Sequence, residues 1–165
     1  MHENIAVQFQ GGKYPYGLSV KDVIDLMQKI KQNIKVNKNE LDQLIKTLGL
    51  SDLMKKEVNS LSGGQKQRLS ILLALMTKPK ILLIDNLVTS LDIDSKKMIV
   101  DFLKKYLNEN DVTFVCITSD MSVMQQLCNN IILMKNGQIR LNADIKKVIS
   151  KYKNLESFLV KNLQE

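Results

Sequence analysis

A chain of 165 residues with 44% hydrophobic and 25% charged residues is long enough to bury one core, and its composition excludes an unstructured tail. Every apolar run is far shorter than the roughly 18 residues of a membrane span. The first residues show neither the basic region nor the apolar stretch of a secretory signal. We therefore expect a cytoplasmic protein with one domain.

The charge of the chain is strongly positive, with 24 basic residues against 17 acidic ones and a net charge of +7. Lysines dominate, and they are scattered without the aromatic interleaving of single-strand binders, so we predict a solvated surface and no nucleic-acid partner. Cys116 and Cys128 lack the spacing of a metal site or a disulfide framework, which predicts buried free thiols.

The first part of the chain predicts a strand followed by three helices. A short β-prone run bounded by glycines is typical of a strand. Ser19 and Asp22 have the spacing of a capping box, and Gly49 is a natural helix stop. The apolar positions at helical spacing in the first helix are Val23, Ile24, Met27 and Ile30. The predicted elements are a strand over 5–9 and helices from Ser19, after Asn39 and from Ser62 to about Met76.

After Pro79, short apolar runs alternate with helical patterns, as expected of a parallel sheet that is buried on both faces. The predicted strands are 81–84, 112–118 and 130–134, and the helices between them are about 93–107 and 122–127. A turn over 135–138 then leads into a short strand over 139–141 and a helical tail from Asp144.

The residues with the clearest chemistry are Leu61-Ser62-Gly63-Gly64-Gln65. A serine and two glycines at a helix start leave backbone amides and the positive end of the helix dipole accessible to an anion. A helix cap with a Gly-Gly turn is the alternative interpretation of the same residues. The string LSGGQ resembles the signature motif of the ATP-binding cassette (ABC) ATPase family, and the following Lys66-Gln67-Arg68-Leu69 also fits that family.

The resemblance to ABC ATPases extends along nearly the whole chain. Residues 81–85 resemble the Walker B strand, which implies that Asp85 helps to hold Mg²⁺. Thr89-Ser90-Leu91-Asp92 resembles the D-loop, which implies a dimer interface at Ser90, Leu91 and Asp92. Residues 5–10 followed by Leu18-Ser19-Val20 resemble the Q-loop, which implies that Gln10 senses the magnesium ion and the attacking water.

Three departures from the family pattern limit what the resemblance implies. The sequence has no GxxxxGK[ST] loop to cradle phosphates, since Gly11-Gly12-Lys13 lacks its spacing and its Ser or Thr. Asn86 stands where the family has its catalytic glutamate, and an amide cannot take a proton from water. Ser119 stands where the family has its switch histidine. We therefore do not expect ATP hydrolysis by this chain alone.

The resemblance implies an α/β fold with the parallel sheet of a P-loop nucleotidase, missing its first strands and carrying an inserted helical subdomain. We expect one partial ABC ATPase domain, divided into a Q-loop part (about 1–17), a helical subdomain with the signature (about 18–76) and a Walker B, D-loop and C-terminal part (about 77–165). In the family, a further strand lies between those that match 112–118 and 130–134. Either another polypeptide fills that slot or the two strands close on each other.

The predicted function is that of an ABC transporter ATP-binding subunit fragment, degenerate at its own site. It would contribute Leu61 and residues 62–65 to the site of another ABC ATPase subunit, with ATP and Mg²⁺ bound only in that complex. A transmembrane transporter subunit is the second expected partner, at the inner face of the membrane. The alternatives are a non-catalytic structural or regulatory module, a split-gene half that needs an N-terminal fragment, and a remnant without stable function.

Overall fold

A computed structural model describes residues 4–8, 14–30, 37–88, 91–152 and 154–158. Within these ranges the chain forms five strands and six helices, with short 3-10 turns at Ser51–Leu53 and Val58–Ser60. In chain order the elements are β1 (Ile5–Gln8), α1 (Val20–Ile30), α2 (Lys38–Thr47), α3 (Gly63–Leu75), β2 (Ile81–Asp85), α4 (Ile93–Glu109), β3 (Thr113–Ile117), α5 (Met121–Leu127), β4 (Asn130–Lys135), β5 (Gln138–Asp144) and α6 (Ile145–Tyr152). They belong to two compact units, 1–117 and 118–165.

The helix boundaries of the first unit follow local sequence signals. The backbone N–H of Ser19 donates to Asp22 Oδ2 at 2.9 Å and the N–H of Asp22 donates to Ser19 Oγ at 3.2 Å, which confirms the predicted capping box. Helix α2 starts slightly earlier than predicted, because Asn37 is its N-cap. It ends as predicted at Gly49, whose φ of 61° is the left-handed conformation that glycine adopts most easily.

Helices α1, α2 and α3 share an apolar core with the segments that connect them. Val20, Leu48, Leu50, Leu69 and Leu72 are the centre of this core. The predicted apolar face of α1 is confirmed at Val23 and Ile24, which are buried in it. It is wrong at Ile30, which is 66% exposed because it is the last residue of the helix.

Strands β1, β2 and β3 form a parallel sheet in that order. Its side chains alternate, and Ala6, Leu82 and Ile84 are at most 6% exposed on one face. The prediction of a sheet buried on both faces is wrong, since apolar side chains of the opposite face are solvent-exposed in the described part of the chain. These are Ile5, Val7, Val115 and Ile117, at 44–65% exposure.

The second unit contains an antiparallel hairpin of β4 and β5. Its two turn residues, Asn136 and Gly137, both have positive φ, which matches the twist of a tight hairpin. In the described part of the chain the parallel sheet consists of β1, β2 and β3, and β4 belongs with β5 to a two-stranded sheet, so the prediction that residues 130–134 join the parallel sheet is wrong. Strand β5 is also longer than predicted. The hairpin and α6 share a core of Ile131, Ile145, Val148, Leu155 and Phe158.

The described ranges contain no helix that combines the length and apolar character needed to span a bilayer. They also contain no group of three acidic, histidine or cysteine side chains placed to hold a metal ion. Cys116 and Cys128 form no disulfide, and both are half-buried, whereas the sequence predicted buried thiols.

Candidate functional site

The LSGGQ segment forms the start of α3. Leu61 is buried in the helical core, and Ser62 is the N-cap of the helix. Ser62 Oγ accepts from the N–H of Gln65 at 3.3 Å, while the N–H of Ser62 donates to Gln65 Oε1 at 3.0 Å. The helix cap given by the sequence as the alternative interpretation of these residues is therefore present. The role of Gln65 as its second partner was not predicted, although a serine followed three residues later by glutamine signals it. The capping box fixes the first turn of α3 by local contacts.

The capping box leaves an exposed pair of residues at the helix start. Ser62 and Gly63 are both solvent-exposed. The N–H groups of the first helical turn have no acceptor inside the helix, and the helix dipole adds positive potential at the same point. The geometry therefore suits a negatively charged group that approaches Gly63 from outside the chain.

Gly64 is buried because helix α4 packs against it. A Cβ atom at position 64 would lie 2.7 Å from Ser95 Oγ and 3.0 Å from Ser95 Cβ. The 2.7 Å distance is shorter than real Cβ contacts, so the Ser95 hydroxyl would have to move, and the 3.0 Å distance would require a shift of a few tenths of an ångström between α3 and α4. The same Cβ would lie 3.8 Å from Asp92 Oδ2. The structure therefore brings the predicted signature residue Gly64 together with the predicted interface residue Asp92.

Asp92 holds the start of α4 as its N-cap. Its Oδ1 accepts from the N–H of Ser95 at 2.8 Å, and its side chain is exposed to solvent. Hydrogen bonds from the backbone and the side chain of Ser95 lower the pKa of the Asp92 carboxyl below its ordinary value. Sequence reasoning missed Ser95. The spacing of Asp92 and Ser95 signals a helix cap, but nothing local indicates that Ser95 contacts Gly64.

Asp85 and Asn86 lie at the end of β2. Asp85 is the last residue of the strand, half-buried and opposite Ile117 in the sheet register. Asn86 has a φ of 55°, and its N–H donates to the carbonyl of Ile117 at 2.9 Å. Asparagine adopts this left-handed conformation more readily than most side chains do. Asn86, which the sequence analysis expects in the place of a catalytic glutamate, thus suits the backbone conformation of its position.

A buried amide pair connects α3 to the sheet. Gln8, at the end of β1, is only 2% exposed. Gln8 Nε2 donates to Gln67 Oε1 at 3.2 Å, and Gln67 Nε2 donates to Gln8 Oε1 at 3.3 Å. Gln67 Nε2 also donates to the carbonyl of Leu87 at 3.0 Å. No local sequence pattern indicates these contacts.

The remaining predicted site residues are placed as follows. Gln10 and Ser90 lie outside the described residues. Leu91 is half-buried, and its N–H donates to the carbonyl of Val88. Ser119 is exposed in the second compact unit, directly before Asp120, the N-cap of α5.

The model of the family described as "ABC transporter" matches residues 1–89 of this chain. The methionine import ATP-binding protein MetN 1 of Staphylococcus epidermidis is 38% identical over 120 residues, which are 73% of this chain and 35% of that protein. The corresponding protein of Shouchella clausii is 32% identical over 148 residues, which are 89% of this chain and 43% of that protein. The chain thus spans well under half of the length of these relatives.

Solved structures give the same result for the fold. A dimeric bacterial ABC transporter cassette is 27% identical, with a TM-score of 0.74 over 86% of this chain and 62% of that one. An ATP-binding subunit of an ABC transporter has a TM-score of 0.81 over 98% of this chain and 69% of that one, and at 14% identity it supports the fold alone.

The parallel sheet with its helices is the α/β fold of ABC ATPase domains, as the sequence predicted. By the family match, this chain belongs to the ABC transporter family.

The packing of Gly64 predicts opposite effects for the two glycines of the motif. Gly64→Ala should destabilise the fold by about 1–3 kcal/mol through overpacking against Ser95. Gly63→Ala is the matched control, since a Cβ there meets nothing within 4 Å, and the better helix propensity of alanine should leave the stability unchanged or slightly higher. Urea titration followed by circular dichroism measures both. Adding Ser95→Gly to Gly64→Ala should recover the part of the loss that comes from overpacking, so the double variant should be more stable than the sum of the two single losses predicts. Equal losses at the two glycines would contradict the packing argument.

The lowered pKa of Asp92 predicts a pH dependence. The folded state favours the ionised Asp92 carboxylate more than the unfolded chain does. The carboxylate therefore stabilises the fold fully above its ordinary pKa of 3.8, and this stabilisation is lost as the pH falls through the lower pKa of the folded state. Wild type should therefore exceed Asp92→Ala in stability at pH 7, by a margin that shrinks below pH ~4. Asp101→Ala, at an exposed position within α4, is the control. A stability difference between wild type and Asp92→Ala that grows as the pH falls would contradict this prediction.

Proposed function

We propose that this chain is an ATP-binding component of an ABC transporter that contributes its signature motif to the ATP site of another ABC ATPase subunit. The observation that supports the proposal is the contrast between the start of α3 and the end of β2. The LSGGQ motif is intact, capped and exposed at Ser62 and Gly63. The end of β2 has Asn86 in place of a carboxylate.

The first part of this proposal is an anion contact across the interface. The amides at the start of α3 and the Ser62 hydroxyl supply donors and positive potential for the terminal phosphates of ATP held by the other subunit. Asp92 lies next to Gly64, so the D-loop and the signature would meet the other subunit as one surface. Ser90, Leu91 and Asp92 are the proposed interface residues of that loop.

The second part is the loss of independent hydrolysis. Asn86 can orient a water molecule but cannot act as its base, and general-base contributions are about a hundredfold to ten-thousandfold. Ser119 has no ring nitrogen with which to replace a histidine. Asp85 and Gln10 are the residues that would contribute to a Mg²⁺ site, and MgATP would be held chiefly by the other subunit's phosphate-binding loop.

A transmembrane transporter subunit is the second proposed partner. The relatives described above are named as methionine import proteins, and we propose amino-acid import as the process that this chain serves. No membrane-spanning helix occurs among the described residues, so attachment to the membrane would depend on that partner.

The test uses an intact ABC ATPase subunit from the same cell whose own signature serine has been replaced, so that it cannot complete a site with a second copy of itself. Adding this chain should raise its MgATP hydrolysis at least about tenfold, in line with the roughly 10²–10³-fold effect of one lost donor at an oxyanion site. Ser62→Ala should remove most of the stimulation. Ser60→Ala, two residues upstream, is the matched control. Stimulation that survives Ser62→Ala would contradict the proposed role of the motif.

A second candidate is favoured by the exposed face of the sheet. Four apolar side chains, Ile5, Val7, Val115 and Ile117, face solvent there, and β3 pairs with β2 alone in the described part of the chain. Such a face and edge suit a further strand and helix, whether joined to this chain or separate from it, as in a split ATPase. The N-terminal segment of the Staphylococcus epidermidis relative, supplied in trans, distinguishes the two. Tight ATP binding and hydrolysis by that mixture without a second intact subunit would favour the split enzyme.

A further inference from the structure

The side chain of Gln67, on helix α3, forms hydrogen bonds at the end of the parallel sheet. Its amide forms a reciprocal pair with Gln8 at the end of β1 and also donates to the carbonyl of Leu87. Leu87 follows Asn86 in the loop after β2 and is fully buried. One side chain on the signature helix therefore contacts two different strand ends.

The environment of the pair makes these contacts specific. Gln8 is 2% exposed, and a buried primary amide requires hydrogen-bond partners because the cost of leaving it without them is about 1–3 kcal/mol. An apolar contact in the same place would tolerate small rotations and slides of α3. Directional hydrogen bonds of 3.0–3.3 Å to the side chain of Gln8 and to the carbonyl of Leu87 do not.

The position of Gln67 relates this attachment to the motif. Gln67 lies two residues after Gln65, within the first turns of α3, and the helix is rigid over that distance. Gly64 lies three residues before Gln67, on the same face of the helix, and is in close contact with Ser95 on α4. The exposed helix start at Gly63 is thus next to both a steric contact with α4 and a hydrogen-bonded contact with the sheet.

We propose that Gln67 is a positioning residue, which holds the signature end of α3 in register with the strand ends of β1 and β2. Its role is to present the Gly63 and Gly64 amides at a fixed place toward the nucleotide of the other subunit. This inference rests on the proposed function. It adds a residue outside LSGGQ whose effect on that site is indirect.

The experiment titrates the signature-disabled ATPase subunit with Gln67→Leu and reads two quantities, the maximal hydrolysis rate and the chain concentration at half-maximal stimulation. A positioning role predicts a maximal rate that is at least about tenfold lower even at saturation, because a displacement of about 1 Å can cost about a hundredfold in rate. Ile71→Val, at a buried position in the same helix, is the control for destabilisation and should cost about 0.5–1.5 kcal/mol. It should leave the maximal rate unchanged.

Gln67→Glu adds a pH profile. A carboxylate at position 67 can accept from Gln8 but cannot donate to the Leu87 carbonyl, whereas the protonated acid regains one donor. The maximal rate with this variant, relative to wild type, should therefore rise as the pH is lowered from 7 toward the pKa of the new carboxyl, which is ordinarily about 4.3 and is raised where burial disfavours the charged form. A flat ratio together with a full maximal rate for Gln67→Leu at saturation would overturn the proposal and leave Gln67 as a stability residue only.

A measurement that does not depend on ATP hydrolysis tests this inference separately from the proposed function. In the wild-type chain alone, the amide NMR signals of Gly63 and Gly64 report the geometry of the helix start. Gln67→Leu should shift or broaden them, and Ile71→Val should not. If the wild-type chain gives no stimulation, the proposed function fails, and the NMR comparison then decides the positioning: unchanged glycine signals in Gln67→Leu overturn it.

Discussion

The burial of helix α3 is the constraint on which the first unit depends. The helix is apolar over most of its circumference, with Leu69, Ile71, Leu72 and Leu75 at most 2% exposed, so it must be covered on more than one side. Its leucines complete the core of α1 and α2, while its contact with β1 connects that core to the sheet. A helix enclosed in this way leaves only its start free, and LSGGQ occupies that start.

Polar contacts then define how the buried helix is oriented. The capping box of Ser62 and Gln65 fixes the first turn, Ser95 excludes a side chain at Gly64, and Gln67 binds the strand ends. Hydrophobic burial is not directional, whereas these contacts are. The three contacts all lie in the first turns of α3, and the amides there are the groups that the proposed function uses.

Local signals in the sequence predicted most of the fold. The cap at Ser19, the stop at Gly49 and the Asn136-Gly137 turn act within a few residues, and the structure confirms all three. The sheet to which residues 130–134 belong was predicted wrongly, because an apolar run indicates a buried strand but not the strand with which it pairs. The contact of Gly64 with Ser95 joins residues 31 positions apart on two helices, and the Gln8–Gln67 pair spans 59 positions. None of these four residues has a sequence pattern that indicates its contact, so only the packing of the elements in the structure reveals the two contacts. The motif itself was predictable because all its residues lie in one turn.

The most direct test of the central claim is equilibrium binding of ATP with Mg²⁺, measured for this chain alone and for its mixture with an ABC ATPase subunit that carries two changes. Its signature serine is replaced, so that it cannot complete a site with a second copy of itself, and its catalytic base is neutralised to prevent hydrolysis. The account predicts no measurable binding by the chain alone, and in the mixture a nucleotide affinity at least about tenfold higher than that of the doubly changed subunit by itself, equivalent to about 1.4 kcal/mol. Binding by the chain alone with the affinity of the mixture, or an affinity that the chain leaves unchanged, would contradict the claim that its signature motif completes a site on another subunit.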